Sequence, residues 1–288
     1  MSNRRANALL GYPPDARLLI VNADDFGMYH AVTAGILRAL TAGVARSTTL
    51  MVPCPWAGHA MRLLRDHPDI ACGVHLTVIA DFADYRWGPL SPRHKVPSLL
   101  DETGAFYRNE RQAALLARAR LDELEAEFRA QIETVLAAGL RPTHLDWHCL
   151  RDGGRPDVFD LTCGLATEYG LALRVFDPTR SERLQRRGLP AVDQGVVDST
   201  RLATAGKTAR LVRLLRDLPA GLSEWAVHPG RGTAEARAID GWWPKRAADL
   251  RFLVSREARE TVAAEGIVLL DYRPLQAIWD RDRARRLA

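Results

Sequence analysis

Short apolar runs rich in β-branched residues alternate along this chain with longer segments whose apolar positions recur three and four residues apart. The first rhythm suits buried strands and the second amphipathic helices. Leu18, Leu19, Ile20 and Val21 open the series. Val32, Ile36, Leu37 and Leu40 follow at helical spacing, with Gly43 placed to end the helix. Residues 47–52 predict a second strand, stopped by Pro53 and Pro55, and Ala60, Leu63 and Leu64 predict a short helix before Pro68. Residues 70–76 predict a third strand. Residues 78–108 carry Phe82, Tyr85, Trp87 and several prolines without any periodicity. A loop of that length in a compact fold is expected to be a lid or a substrate-binding segment. Leu121, Leu124, Phe128, Ile132 and Val135 make the clearest helical stripe, with Glu and Arg on the opposite face and Gly139 at its end.

The rhythm continues downstream. Residues 142–148 and 172–176 predict strands on either side of a helix over 157–169. Residues 177–200 read as irregular, with one hidden strand near Ala191 and Val192. Helices over 201–217 and 247–264 flank a strand at 224–228, and a strand at 267–270 leads to a C-terminal helix. Seven strands, or eight with the hidden one, predict an α/β fold: a TIM-like (β/α) barrel of parallel strands closing on itself. Residues 1–15 read as a flexible lead and residues 16–288 as one undivided domain.

Composition narrows the classes. With 288 residues and 47% hydrophobic content, the chain can bury a large core. The net charge of +5 comes from 40 basic and 35 acidic residues, mostly interspersed. The basic clusters at 183–187 and 281–286 lack the interleaved aromatics of a nucleic-acid groove, so no nucleic-acid partner is expected. No apolar run approaches the roughly eighteen residues of a membrane span, and the first residues do not form a secretory signal. The four cysteines, Cys54, Cys72, Cys149 and Cys163, have no close-paired spacing, which argues against a disulfide framework or a zinc knuckle. A cytoplasmic protein is the expectation, and a homo-oligomer is left open.

The chemistry gathers at strand ends. The first strand runs into Asp24 and Asp25, and neighbouring strand residues share a direction only if the strand ends there. His75, His148, Arg174 and His228 lie at the ends of four other strands. In a parallel barrel that face carries the active site. One histidine at a strand end says little, whereas this joint placement points to a site.

The segments Asn22-Ala23-Asp24-Asp25-Phe26-Gly27, Ser47-Thr48-Thr49-Leu50-Met51-Val52, Gly73-Val74-His75-Leu76-Thr77, Pro142-Thr143-His144-Leu145-Asp146-Trp147-His148 and His228-Pro229-Gly230 carry a resemblance. In them the chain resembles the YdjC-like family of chitooligosaccharide and hopanoid-associated carbohydrate deacetylases, over nearly its whole length from Ala16. The resemblance implies a distorted (β/α) barrel and a metal-dependent hydrolase that removes acetyl groups from an N-acetylated sugar or glycoconjugate. It implies Asp25, His75 and His148 as ligands of one divalent ion, Zn2+ or Mg2+, and Asp24 as general base. His228 would be the general acid, and Arg174 would orient or polarise Asp24.

That set is chemically coherent. Two imidazoles and a carboxylate leave coordination positions open for water and a carbonyl. The chain departs from the family pattern at Trp147, where the family has Ser, and at Leu150, where it has a second His, which sets the departure beside the expected sugar pocket. His144 and Asp146 are expected to steady a ligand ring, or else to act simply as strand hydrogen bonders. Cys149 is expected to pack away from His148 by strand alternation, and Trp242 or Trp243 to contact substrate. Two alternatives stay open: a catalytically silent carbohydrate-binding protein, and a metal-dependent barrel isomerase or phosphodiesterase.

Overall fold

β1 (Arg17–Phe26) is the axis of the sheet, buried from Leu18 to its end. In this computed structural model, which describes residues 5–287, seven further strands join it in one sheet, all in parallel. They are β2 (Ser47–Leu50), β3 (Ala71–Leu76), β4 (His144–Trp147), β5 (Ala172–Leu173), β6 (Val196–Asp198), β7 (Gly221–Val227) and β8 (Val268–Leu270). Their order is β5-β4-β3-β2-β1-β7-β6, with β8 against β1. β1 is long enough for three neighbours. β7 follows one edge, while on the other Leu18, Leu19 and Ile20 pair with β8, and Asn22, Ala23 and Phe26 with β2.

The expectation of seven or eight parallel strands holds, as does the TIM-like curl. Closure does not: β5 and β6 pair with β4 and β7 but not with each other among the described residues, so the sheet is a curled, open barrel. Both are short, with two residues in β5 and three in β6. The strand expected over 172–176 ends at Leu173, because Arg174 turns into the barrel's charged interior.

The helices are α1 (Arg5–Leu10), α2 (His30–Ala42), α3 (Ala57–Asp66), α4 (Gln112–Arg118), α5 (Leu121–Ala137), α6 (Pro156–Tyr169), α7 (Pro178–Arg186), α8 (Lys207–Arg216), α9 (Ala234–Ile239), α10 (Trp243–Leu253), α11 (Arg256–Ala264) and α12 (Arg273–Leu287). Among the described residues, none is long and apolar enough to cross a membrane. Three readings are corrected here. Within the flexible lead expected over residues 1–15, residues 5–10 form α1: Ala6 and Asn7 are fully buried and the Asn7 amide donates to the Pro13 and Ala16 carbonyls. The irregular stretch 177–200 contains α7, capped by Asp177, and its strand lies at β6 rather than near Ala191. The helix expected over 247–264 is two, broken where Ser255 caps α11.

α5 explains the long loop that follows β3. Leu124, Phe128, Ile132 and Val135 face the core as the stripe requires, but Leu121 is 38% exposed. Part of the opposite, charged face is buried too. Glu127 accepts from the backbone of Leu90 and Ser91, Glu123 from Ser98, and Gln131 bonds both backbone groups of Thr77. Carboxylates thus replace the β-ladder partners that an irregular backbone lacks. The loop is pinned, with Val78, Ile79, Ala80 and Trp87 buried.

Candidate active site

Asp24 and Asp25 both turn into the barrel mouth without ending the strand. The β1–β2 register shifts between Ala23 and Phe26, so two residues of β1 stand against one of β2, and Asp25 has a φ of 76°. This is a β-bulge, which re-aims a side chain that alternation would send outward. A left-handed backbone at a non-glycine residue costs on the order of 1–3 kcal/mol and persists where its surroundings fix it. Here Arg246 of α10 does so, donating to Asp25 Oδ2 at 2.8 Å while its Nε donates to Asp240 at 2.6 Å.

The other Asp25 oxygen is spare. Oδ1 is buried and makes no hydrogen bond, yet His75 Nε2 lies 3.5 Å and His148 Nδ1 3.3 Å from it. Each ring is held from behind. His75 Nδ1 meets Asp146 at 2.6 Å, and His148 Nε2 meets Asp81 at 2.9 Å. A carboxylate on the far nitrogen fixes the tautomer that points a lone pair forward. Tetrahedral bonds of about 2.0–2.2 Å would set N and O ligand atoms about 3.3–3.5 Å apart, as they stand here. Asp25, His75 and His148 therefore fit a divalent cation. Without one, burial opposes charge on both rings but the carboxylates prevail: His75 is raised to about 9, chiefly by Asp146, and His148 well above its usual range, chiefly by Asp81.

Asp24 sits beside this cluster in a different environment. Arg174 clamps it with two hydrogen bonds of 2.8 Å, contacts Asp146 at 2.6 Å, and donates through Nε to Glu224 at 2.7 Å. Burial pushes the Asp24 carboxyl up, but the guanidinium more than reverses this and holds it well below the usual carboxylate range. Asn22 adds a donor at 2.8 Å. His228 Nε2 stands 3.9 Å from Asp24 Oδ2, and its side chain is 20% exposed, unlike the buried ligand rings. His228 follows β7 in His228-Pro229-Gly230. Any Cβ on Gly35 would lie 2.6 Å from the Gly230 Cα, so glycine at position 35 lets α2 and this loop touch backbone to backbone.

All six residues expected from the strand ends thus meet at one mouth. A family model described as YdjC-like protein matches residues 18–264. The chain belongs to that family. A carbohydrate deacetylase from Geobacillus stearothermophilus is 34% identical, covering 89% of this chain and 97% of the relative. Another, from Thermoanaerobacter pseudethanolicus, is 30% identical, covering 89% and 98%. The crystal structure of a protein described as a cellobiose-phosphate cleavage protein from Enterococcus faecalis superimposes with a TM-score of 0.78 at 30% identity, over 90% of this chain and 99% of that one.

In this YdjC-like protein several sequence readings need correction. Trp147 does not border the pocket. It points outward into the helix layer, where its Nε1 donates to Thr162 at 3.1 Å beside Phe159. Leu150 is likewise buried. Of the two expected ring-steadying residues, Asp146 contacts His75, but His144 stacks on Tyr272 with centroids 3.6 Å apart and bonds Thr143. Cys149 is exposed rather than packed. β4 has ended, φ is 61°, and the thiol lies 3.4 Å from His148 Nε2. Trp242 is 51% exposed and Trp243 half-buried, at the start of the helix that delivers Arg246.

Asp81, Arg246 and Glu224 were not anticipated. Asp81 lies in a loop without periodicity, and Arg246 is 221 residues from its partner. Glu224 had a usable signal, as a lone acid inside an apolar strand.

Proposed function

We propose that this protein is a metal-dependent carbohydrate N-deacetylase in which Asp25, His75 and His148 hold one divalent cation and Asp24 is the general base. One observation carries the reading: the spare buried oxygen of Asp25, faced by two imidazole nitrogens whose far sides are fixed by carboxylates. The curated relatives named carbohydrate deacetylase supply the substrate class, an N-acetylated sugar or glycoconjugate. The ligand spacing favours zinc, because octahedral magnesium at about 2.1 Å would bring neighbouring ligand atoms to roughly 3.0 Å.

When bound, such an ion acidifies water and polarises an amide carbonyl. The chain supplies the rest. Asp24, ionised throughout the working pH range, accepts the proton of the attacking water, with Arg174 fixing both its oxygens. Held so low, it keeps that proton only briefly. His228, 3.9 Å away and partly open to solvent, donates a proton to the leaving nitrogen as the C–N bond breaks, releasing acetate and a free amine. The proton on Asp24 then restores His228. Glycosidic cleavage, the reading suggested by the structural neighbour's description, would need two carboxylates free to act as acid and base or nucleophile. Asp25 is instead tied to Arg246 and faced by His75 and His148, which leaves Asp24 without a second carboxylate free to act. The four free cysteines suit a reducing compartment, and we read the enzyme as cytoplasmic.

Acetate release from a panel of N-acetylated mono- and oligosaccharides, with and without chelator, tests the proposal. Chelator-sensitive release from at least one member is expected. Binding without release would leave a silent carbohydrate-binding protein.

A further inference from the structure

His148 is approached from both sides. Its Nδ1 faces Asp25, while its Nε2 faces a second group of donors, Asp81 and Cys149, of which the inner site uses only Asp81, as the brace of the ring. Asp81 Oδ2 lies 2.9 Å and Cys149 Sγ 3.4 Å from Nε2, and Sγ lies 3.5 Å from Asp81 Oδ1. Cys149 reaches this place because β4 stops at Trp147 and the chain turns left-handed, with φ 61°, immediately after His148. Its carbonyl is tied there by Gln112 at 2.9 Å. A tetrahedral zinc-like ion with bonds of about 2.3 Å to sulfur and 2.0 Å to nitrogen sets those two atoms about 3.5 Å apart. The outer group already stands at nearly that spacing. Cys149 is exposed and the Asp81 side chain 19% exposed, so an ion reaches them from solvent without crossing the buried inner site.

We propose that Asp81, His148 and Cys149 form a second cation site, selective for thiophilic divalent ions such as Zn2+ or Cd2+. It competes with the Asp25–His75–His148 site for the imidazole they share. The competition, though not the outer site itself, rests on the function proposed above. A neutral imidazole offers one lone pair. An ion on Nε2 displaces the proton there, and Nδ1 takes one up and turns an N–H toward Asp25, which closes the inner site. The thiol gives its proton to solvent, since a coordinated thiol is deprotonated outright. Magnesium, which prefers oxygen, does not compete in this way. The pair of sites makes the protein one that excess thiophilic metal switches off.

The test is titration of Cd2+ into the chelator-stripped full-length protein, following the near-ultraviolet thiolate-to-cadmium absorption. Wild type should develop the band, Cys149→Ser should lack it, and Asp25→Asn should keep it. Excess Zn2+ should inhibit acetate release by wild type at least tenfold more strongly than by Cys149→Ser, each measured against its own rate. No band in wild type, or an equal band in Cys149→Ser, overturns the outer site. If Asp25→Asn abolishes all binding and wild type shows no band, the proposed function stands and this inference falls. A wild type that binds one ion only, with a band that Cys149→Ser abolishes and Asp25→Asn leaves unchanged, sustains the outer site and removes the inner one.

Discussion

Asp146→Asn isolates the support behind one ligand ring while leaving every proposed ligand in place. In the native chain, Asp146 Oδ1 is 2.6 Å from His75 Nδ1, and Oδ2 is 2.6 Å from the Arg174 guanidinium. An asparagine has one oxygen for these two positions. With the oxygen toward His75, its amino group meets the guanidinium, donor against donor. Flipped, it donates to Nδ1 and drives the ring proton to Nε2, the nitrogen that must stay free for the ion. Either way a charge-assisted hydrogen bond of about 1.5–3 kcal/mol is lost from the binding-competent tautomer. Metal affinity should fall about 10- to 100-fold, the range seen when a carboxylate behind a metal-bound imidazole is removed. The fold should tolerate the change, because Arg174 keeps Asp24 and Glu224 as partners. Calorimetric titration of Zn2+ into chelator-stripped wild type and mutant, with thermal unfolding of both, measures each part. An affinity within threefold of wild type, in a folded mutant, would refute the reasoning.

Two further outcomes follow from buried groups. Trp147→Phe should leave kcat, KM and sugar preference within about twofold of wild type, because the ring faces α6. It should lower unfolding stability by about 1 kcal/mol through loss of the Thr162 bond; a changed sugar preference would return Trp147 to the pocket. Burial raises the Glu224 carboxyl from 4.5 to about 7, against the opposing pull of Arg174 and the Tyr272 hydroxyl. A carboxyl raised by folding stabilises below its unfolded value and loses that contribution as pH rises through about 7. Wild type should therefore lose on the order of 3 kcal/mol between pH 4.5 and 8 that Glu224→Gln does not lose. Equal pH slopes in denaturant unfolding would contradict this.

Much of the fold and the inner cluster is legible in the sequence because each depends on local pattern. The apolar run of β1 and the histidine ending β3 announce themselves, and parallel topology brings strand ends together. What the sequence obscures depends on backbone departures from pattern. The bulge at Asp25 and the left-handed turn at Cys149 both break the alternation from which side-chain directions are deduced, so Cys149 was misdirected. Trp147 differs for another reason. Its departure from the family pattern suggests the pocket, whereas strand parity with Asp146 sends it outward. Asp81 and Arg246 act across tertiary contacts from a loop and a distant helix, where no periodicity speaks for them.

The most direct test of the central claim is acetate release by Asp24→Asn with its metal content measured on the same sample. The division of labour proposed here predicts a rate lower by about 10²–10⁴-fold, with the ion retained near one per chain. Activity close to wild type would deny Asp24 the role of base, and loss of the ion would move it into the ligand set.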